Sequence, residues 1–299
     1  MKLINVFHKM MVVTEMILVD MNQVTLSNLM VQIGGRKEIE PDLVRHMVLN
    51  SLRGYRSRFS DEYGELVLCY DDKTNWRREV FPNYKHSRRK DRKASKLDWN
   101  AIFDTLHLIR DELDEFFPYR VLQVENAEAD DIIASVVFHV AKEPKNYEKV
   151  LILSGDKDFI QLQQHNFVSQ YSPTQKKFMN GIDPTTYIKT HILQGDRSDG
   201  VPNFLSPDNT FVDELRQRPI SKRKLETWIE LEPEDYCNEE MMRNFHRNRT
   251  LIDLNYIPKE LVSKCIQTYL ETPNGDRKQL LNYFVKYKLR NLMENIGDF

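Results

Sequence analysis

Residues 149–159 read KVLILSGDKDF, an apolar run from Val150 to Leu153 that gives way at Gly155 to two aspartates one residue apart, Asp156 and Asp158. Consecutive apolar residues without polar alternation describe a strand buried on both faces, which is the habit of a parallel sheet. The same grammar recurs along the chain. MILV runs into Asp20, ELVLCY into Asp71, and YRVLQV ends near Val124, just before Glu128. Between these runs lie amphipathic helical patterns. PDLVRHMVLNSLRGYRSRF sets Leu43, Met47 and Leu52 at helical spacing, WNAIFDTLHLIRDELDEFF does so with Ile102, Leu106 and Leu113, and EADDIIASVVFHVAK with Ile132, Val136 and Val140. Strands alternating with helices predict an α/β fold whose mostly parallel central sheet is covered by helices.

In such a sheet the ligand site lies at the carboxyl ends of the strands. That rule gathers scattered acids on one edge: Asp20, Asp71, Glu128, Asp130, Asp131, Asp156 and Asp158. A further pair, Asp196 and Asp199 in LQGDRSDGVPN, follows the helical pattern PTTYIKTHIL, whose stop signal is Gly195. Separately, each acid has an ordinary role in a turn or at a helix start. Converged, they have an electrostatic problem. Two carboxylates about 5 Å apart repel by roughly 3 kcal/mol at an effective dielectric of about 20, so such a cluster needs protons or cations. Hard divalent ions that favour oxygen ligands, Mg²⁺ with Mn²⁺ as a substitute, answer that need. No phosphate-cradling G-x-x-x-x-G-K-[ST] loop, H-E-x-x-H motif or nucleophile elbow occurs. Carboxylates without a side-chain nucleophile suit phosphodiester hydrolysis assisted by two ions.

Composition limits the alternatives. With 299 residues the chain is long enough to bury a core without disulfides or a structural metal. Cys69, Cys237 and Cys265 are scattered, with no C-x-x-C pair, which predicts a reducing, cytoplasmic setting. Lys9, Glu15 and Asp20 interrupt the apolar N-terminal stretch, so neither a signal peptide nor a membrane span is expected. The net charge of −2 hides strong segregation. Between Lys73 and Lys96 stand ten basic residues against only Glu79 and Asp91, a local excess of about +8. Trp76, Phe81 and Tyr84 are interleaved with the cations, a mixture that suits phosphate neutralisation and base stacking. Directly after Asp71, this stretch would cover the acidic edge. From about residue 201 onward the chain reads as helical, with PKELVSKCIQTYLETP and DRKQLLNYFVKYKLRNLMENI as helices and Tyr283, Phe284 and Tyr287 as core.

The ordered set VDMNQ, VLCYDD, WRREVFPNYKHSR, EADDIIA, LILSGDKDF and LQGDRSDGVP resembles the 5′-nuclease superfamily of flap endonucleases and polymerase-associated 5′ to 3′ exonucleases, its bacteriophage branch in particular. The resemblance implies a PIN-like nuclease core. It implies a first metal site at Asp20, Asp71, Glu128 and Asp130 and a second at Asp156, Asp158, Asp196 and Asp199. Asp130, Asp131, Lys85 and Arg88 form the implied catalytic group, and Asp72 has no counterpart. The basic stretch corresponds to an arch, about 73–97, over a 5′ single strand, with Arg77, Tyr84, Lys85, Arg88, Arg89, Lys90, Arg92 and Lys93 as strand contacts. The implied activity is Mg²⁺-dependent 5′ to 3′ exonuclease and flap endonuclease cleavage of RNA–DNA hybrids and of branched or 5′-ended DNA duplexes, removing RNA primers. Implied partners are a single-strand DNA-binding protein and a sliding clamp. A nuclease domain over 1–200, a helical domain over 201–299 and a monomer are expected. One departure is GVPNFLSPDNTFVDEL, which stands where many relatives carry a second glycine hairpin; duplex contact then falls to RQRPISKRK, Arg216–Lys224. A shorter PIN-type single-strand ribonuclease and a non-catalytic junction-binding protein are the competing readings.

Overall fold

The structure, a computed structural model, describes residues 15–33, 40–95, 97–142 and 149–299. Most of the N-terminal stretch and Lys96 of the basic run lie outside the described residues. Six strands form one sheet: β1 (Met16–Asp20), β2 (Glu65–Tyr70), β3 (Arg120–Gln123), β4 (Val150–Leu153), β5 (Val168–Ser172) and β6 (Lys177–Phe178), in the order β3-β2-β1-β4-β5-β6. The first five are parallel, and only β6 runs against its neighbour. This agrees with the expected α/β class. β5 and β6 are additions: VSQYS carries three polar residues and lacks the continuous apolar run of β1, β2 and β4, and β6 is two exposed residues too short to carry a pattern.

Alternation along each strand sends side chains to two cores. Ile17, Val19, Leu66, Leu68, Leu151 and Leu153 face one core, where α2 (Pro41–Tyr63) and α5 (Trp99–Phe116) pack. Met16, Leu18, Val67, Cys69, Val150 and Ile152 face the other, beneath α6 (Ala129–Ala141). In α2, Met47 and Leu52 are buried as expected, but Leu43, in the first turn, is 41% exposed. The remaining helices of the first two thirds are α1 (Met21–Ile33), α3 (Trp76–Val80), α4 (His86–Ala94) and α7 (Pro184–Gln194).

The last third is helical, as expected, with α8 (Lys222–Trp228), α9 (Glu239–Ile252), α10 (Lys259–Glu271), α11 (Leu280–Lys286) and α12 (Arg290–Met293). Its residues complete both cores. Leu261, Cys265 and Tyr269 of α10 join the α6 side, while Tyr283, Phe284 and the C-terminal Phe299 join the α2–α5 side. The reading of residues 276–296 as one helix is corrected. Lys288 takes φ 54° and Leu289 N–H bonds back to Phe284 O at 2.9 Å, ending α11 so that Leu289 and Leu292 turn into the core. No helix among the described residues is long and apolar enough to cross a membrane.

Candidate metal and nucleic-acid site

Strand ends deliver the acids. Asp20 closes β1 and is nearly buried, with Ser154 Oγ donating to Oδ2 and Gln23 N–H donating to Oδ1, both at 3.0 Å. Asp71 follows β2 and accepts Ala129 N–H at 2.8 Å, which ties it to the start of α6. Glu128 is the N-cap of that helix and Asp130 lies in its first turn. Past β4, the chain turns at Gly155, where a Cβ would come within 2.8 Å of Ser172 Oγ. Asp156 then caps a short 3₁₀ helix by accepting Asp158 N–H at 3.0 Å. Asp20, Asp71, Glu128, Asp130, Asp156 and Asp199 all line one cleft of about 650 Å³, within the size range that takes a nucleotide-sized ligand.

Burial and mutual repulsion hold several of these acids far from their ordinary behaviour. Burial first, then Asp71 and Asp156, push Asp20 up to about 7. Burial and Asp158 push Asp156 up to about 6, and burial, Asp156 and Asp20 push Asp130 well up. Asp71 rises through burial and the charge of Glu128. Glu128 goes the other way: burial opposes its charge, but Lys85 and Arg77 outweigh it and bring the group down to about 2. The centre therefore has a side paired with cations at Glu128 and a side at Asp20, Asp130 and Asp156 where burial and like charge favour protonation or a bound cation.

The basic stretch folds over this centre as α3 and α4. Lys85 sits between them with φ 54°, its N–H donating to Asp199 O at 2.7 Å, so that Nζ reaches Glu128 and lies 3.7 Å from Asp199. Arg88 pairs with Asp199 and donates to Ser198 O. Tyr84 Oη lies 2.9 Å from Glu128 and 2.7 Å from Asp199, its single proton serving one of them at a time. Arg92 lies over the Trp99 and Phe103 rings, and Arg89, Lys90 and Lys93 are exposed on α4, Lys90 against Glu214.

Three site expectations need correcting. Arg77, expected as a strand contact, is 3% exposed; its guanidinium grips Asp131 at 2.9 Å and donates to Leu251 O. Asp131, expected in the catalytic group, is fully enclosed. It accepts Trp76 Nε1–H at 3.2 Å and Glu128 N–H at 2.9 Å as the partner in a capping box, and it faces away from the cleft. Tyr84, expected on the strand, is buried and bonded to the acids. Asp72, which has no counterpart in the family pattern, fixes the loop before α6 by accepting Asn126 N–H at 2.9 Å and Gln123 Nε2–H at 3.1 Å.

Asp158 and Asp196 meet beside the cleft around a residue the sequence reading missed. α7 ends at Gly195, φ 68°, where a Cβ would lie 2.4 Å from Val201 O, and the chain turns into Asp196. His191, in the last turn of α7, places Nε2 3.1 Å from Asp158 and 3.6 Å from Asp196. Burial opposes its charge, but the two carboxylates raise it to about 10. Nothing in the local sequence marks this histidine, because the contact spans two separate loops.

An acidic sheet edge beneath a cationic helical cover is what a phosphodiester-cleaving nuclease needs, and known proteins point the same way. Residues 35–190 match the family model described as 5′-3′ exonuclease, N-terminal resolvase-like domain, and residues 183–299 match the one described as T4 RNase H, C terminal. The chain is 32% identical over 292 residues to ribonuclease H of Enterobacteria phage T4, covering 94% of this chain and 95% of that one. It is 27% identical over 146 residues to flap endonuclease Xni of Shewanella oneidensis, covering 46% of this chain and 51% of that one. In fold it is similar to the T5 D15 protein co-crystallised with metal ions, with a TM-score of 0.59 at 17% identity over 86% of this chain and 98% of that one. The chain belongs to the 5′-3′ exonuclease family, as a phosphodiester hydrolase of the 5′-nuclease type. Within that family it is similar over nearly its whole length to the phage T4 enzyme.

Proposed function

We propose that the protein is a Mg²⁺-dependent 5′ to 3′ exonuclease and flap endonuclease, acting on 5′-ended or branched DNA duplexes and RNA–DNA hybrids, and that it removes RNA primers during phage lagging-strand replication in the host cytoplasm. The observation that carries this reading is the mutually repelling group Asp20, Asp130 and Asp156, which lines one cleft together with Lys85 and Arg88. A protein that merely binds phosphates gains nothing from concentrated negative charge. Oxygen donors in mutual repulsion fit hard divalent ions. Asp20, Asp71, Glu128 and Asp130 would hold one ion, and Asp156, Asp158, Asp196 and Asp199 a second. Ions held there supply activation of the attacking water and stabilisation of the leaving oxygen.

The chain's own groups do the rest. Lys85 and Arg88 sit at the rim between acids and solvent, where a phosphate would draw them off Glu128 and Asp199. Tyr84 donates to one of those two carboxylates at a time and so holds that one in place while the cations move. Arg89, Lys90, Arg92 and Lys93 offer a backbone-neutralising face to the 5′ strand, and Arg216 to Lys224 a second one to the duplex. Residues 1–200 carry the chemistry, and 201–299 form a helical unit that also buttresses the sheet. A monomer is proposed, with a single-strand DNA-binding protein and a sliding clamp as replication partners.

The test is a series of 5′-labelled flap, nicked-duplex and RNA–DNA substrates, each assayed with Mg²⁺ and with chelator. Short 5′ products that vanish on chelation are expected. Metal-independent cutting, or cutting of free single-stranded RNA without need of a 5′ end, would reject the reading.

A further inference from the structure

The donor set beside the cleft is chemically mixed. Nε2 of His191 and one oxygen each from Asp158 and Asp196 all lie within 4.8 Å of one another. Two donors about 2.1 Å from a shared ion, at roughly a right angle, stand about 3 Å apart, and the distances here are 3.1 and 3.6 Å. Nε2 is enclosed, yet no contact it makes is aligned as a hydrogen bond. Asp196 is aimed at it by its other partners. Asp196 Oδ1 accepts Ser198 N–H, Ser198 Oγ–H and Asp199 N–H at 2.7, 2.7 and 3.2 Å, which leaves Oδ2 toward the ring. Tyr187 packs on the imidazole at 5.4 Å between ring centres, and burial together with the nearby charge of Asp158 raises the pKa of its phenol. Both aromatic residues come from α7, one helical turn apart, so a rigid element sets the ring's position.

Resting on the metal-dependent reading above, we infer that His191 is itself a ligand of the second ion, making that site a nitrogen–oxygen site that favours first-row transition ions over Mg²⁺. Carboxylates alone suit Mg²⁺ and Mn²⁺, whereas an imidazole adds affinity for softer ions such as Co²⁺ and Zn²⁺ and little for Mg²⁺. The first site, with oxygen donors only, has no such bias. His191 thus acts as a selectivity determinant between two neighbouring sites.

The test is metal binding rather than turnover. Pulsed EPR of Mn²⁺ bound to the full-length protein should show coupling to a histidine nitrogen, and this should change its isotopic signature when histidine is ¹⁵N-labelled. By calorimetry, His191→Ala should weaken Co²⁺ at one of two sites by at least about tenfold, the lower end of what losing even an outer-shell partner costs, with Mg²⁺ binding nearly unchanged. His191→Asn should behave like His191→Ala. Absence of nitrogen coupling in the parent overturns the inference, and so does an equal effect on Co²⁺ and Mg²⁺; the EPR result needs no variant to fold. A parent that binds no divalent ion while cutting flaps in chelator overturns the metal-dependent reading itself, a different result from a two-site protein without nitrogen coupling.

Discussion

Neighbouring aspartates in one helix turn have opposite duties. Asp130 faces the cleft among like charges, whereas Asp131 is sealed beneath the helix with Arg77 and Trp76. Replacing Asp130 with Asn removes a cation-holding charge and a repulsion at once. We expect cleavage to fall at least about 100-fold, as when an electrostatic stabiliser of the reacting centre is lost, with DNA binding kept. The check is a flap assay beside a gel-shift titration; parallel losses in both would contradict it. Arg77→Ala leaves Asp131 charged and unpaired in the interior, which costs about 3–5 kcal/mol. Urea denaturation should show that loss, and Arg77→Met combined with Asp131→Asn should recover much of it. These two roles cannot be told apart in the string E-A-D-D: both acids are adjacent, both are charged, and only the direction of each side chain from the helix separates them. Arg77 was opaque for the same reason, since a basic run does not say which member turns inward.

At the scale of elements, the arch divides by burial. Its base, Tyr84, Lys85 and Arg88, is locked to Glu128 and Asp199, while Arg89, Lys90 and Lys93 of α4 stand in solvent. Replacing those three by Ala should leave thermal stability unchanged, because exposed pairs such as Lys90 with Glu214 contribute little. The slope of log affinity for DNA against log salt should become shallower by about 2–3, close to one for each phosphate that is no longer neutralised. An unchanged slope would place the strand elsewhere. Lys85→Ala should instead lower turnover more than binding. β1, β2, β4 and the long helices were legible because burial on both faces and a 3.6-residue period leave plain marks, while the edge strand β3 showed only through its short apolar run around Leu122. The break between α11 and α12 was not, because it carries no Gly or Pro: α11 stops at Lys286, and the left-handed Lys288 turns Leu289 and Leu292 into the core. His191 was missed because its meaning lies in a contact between the end of α7 and the loop after β4.

Across the whole molecule, the acid centre sets the pH dependence of stability when divalent ions are absent. Asp20 at about 7 and Asp156 at about 6 hold protons in the fold that the unfolded chain, with ordinary values of 3.8, has released. Stability therefore falls as pH rises from about 4 through 7. His191, raised to about 10 from 6.5, continues the decline above neutrality. Glu128, lowered from 4.5 to about 2, and Asp196, also lowered, act in the opposite sense, but their window lies below about pH 4.5 and meets this slope only at its acid end. Ions that bind only the native state stabilise it in proportion to how far they saturate it, and deprotonated carboxylates bind them best. Thermal melts in chelator should therefore decline from pH 5 to pH 8, while excess Mg²⁺ should raise the midpoint strongly at pH 8 and barely at pH 5, flattening the profile. The helices of the last third, whose Tyr269, Tyr283 and Phe299 complete both cores, should melt in the same transition. A chelated protein that grows more stable toward pH 8, or a Mg²⁺ shift equal at both pH values, would mean that these carboxylates do not share one charged centre.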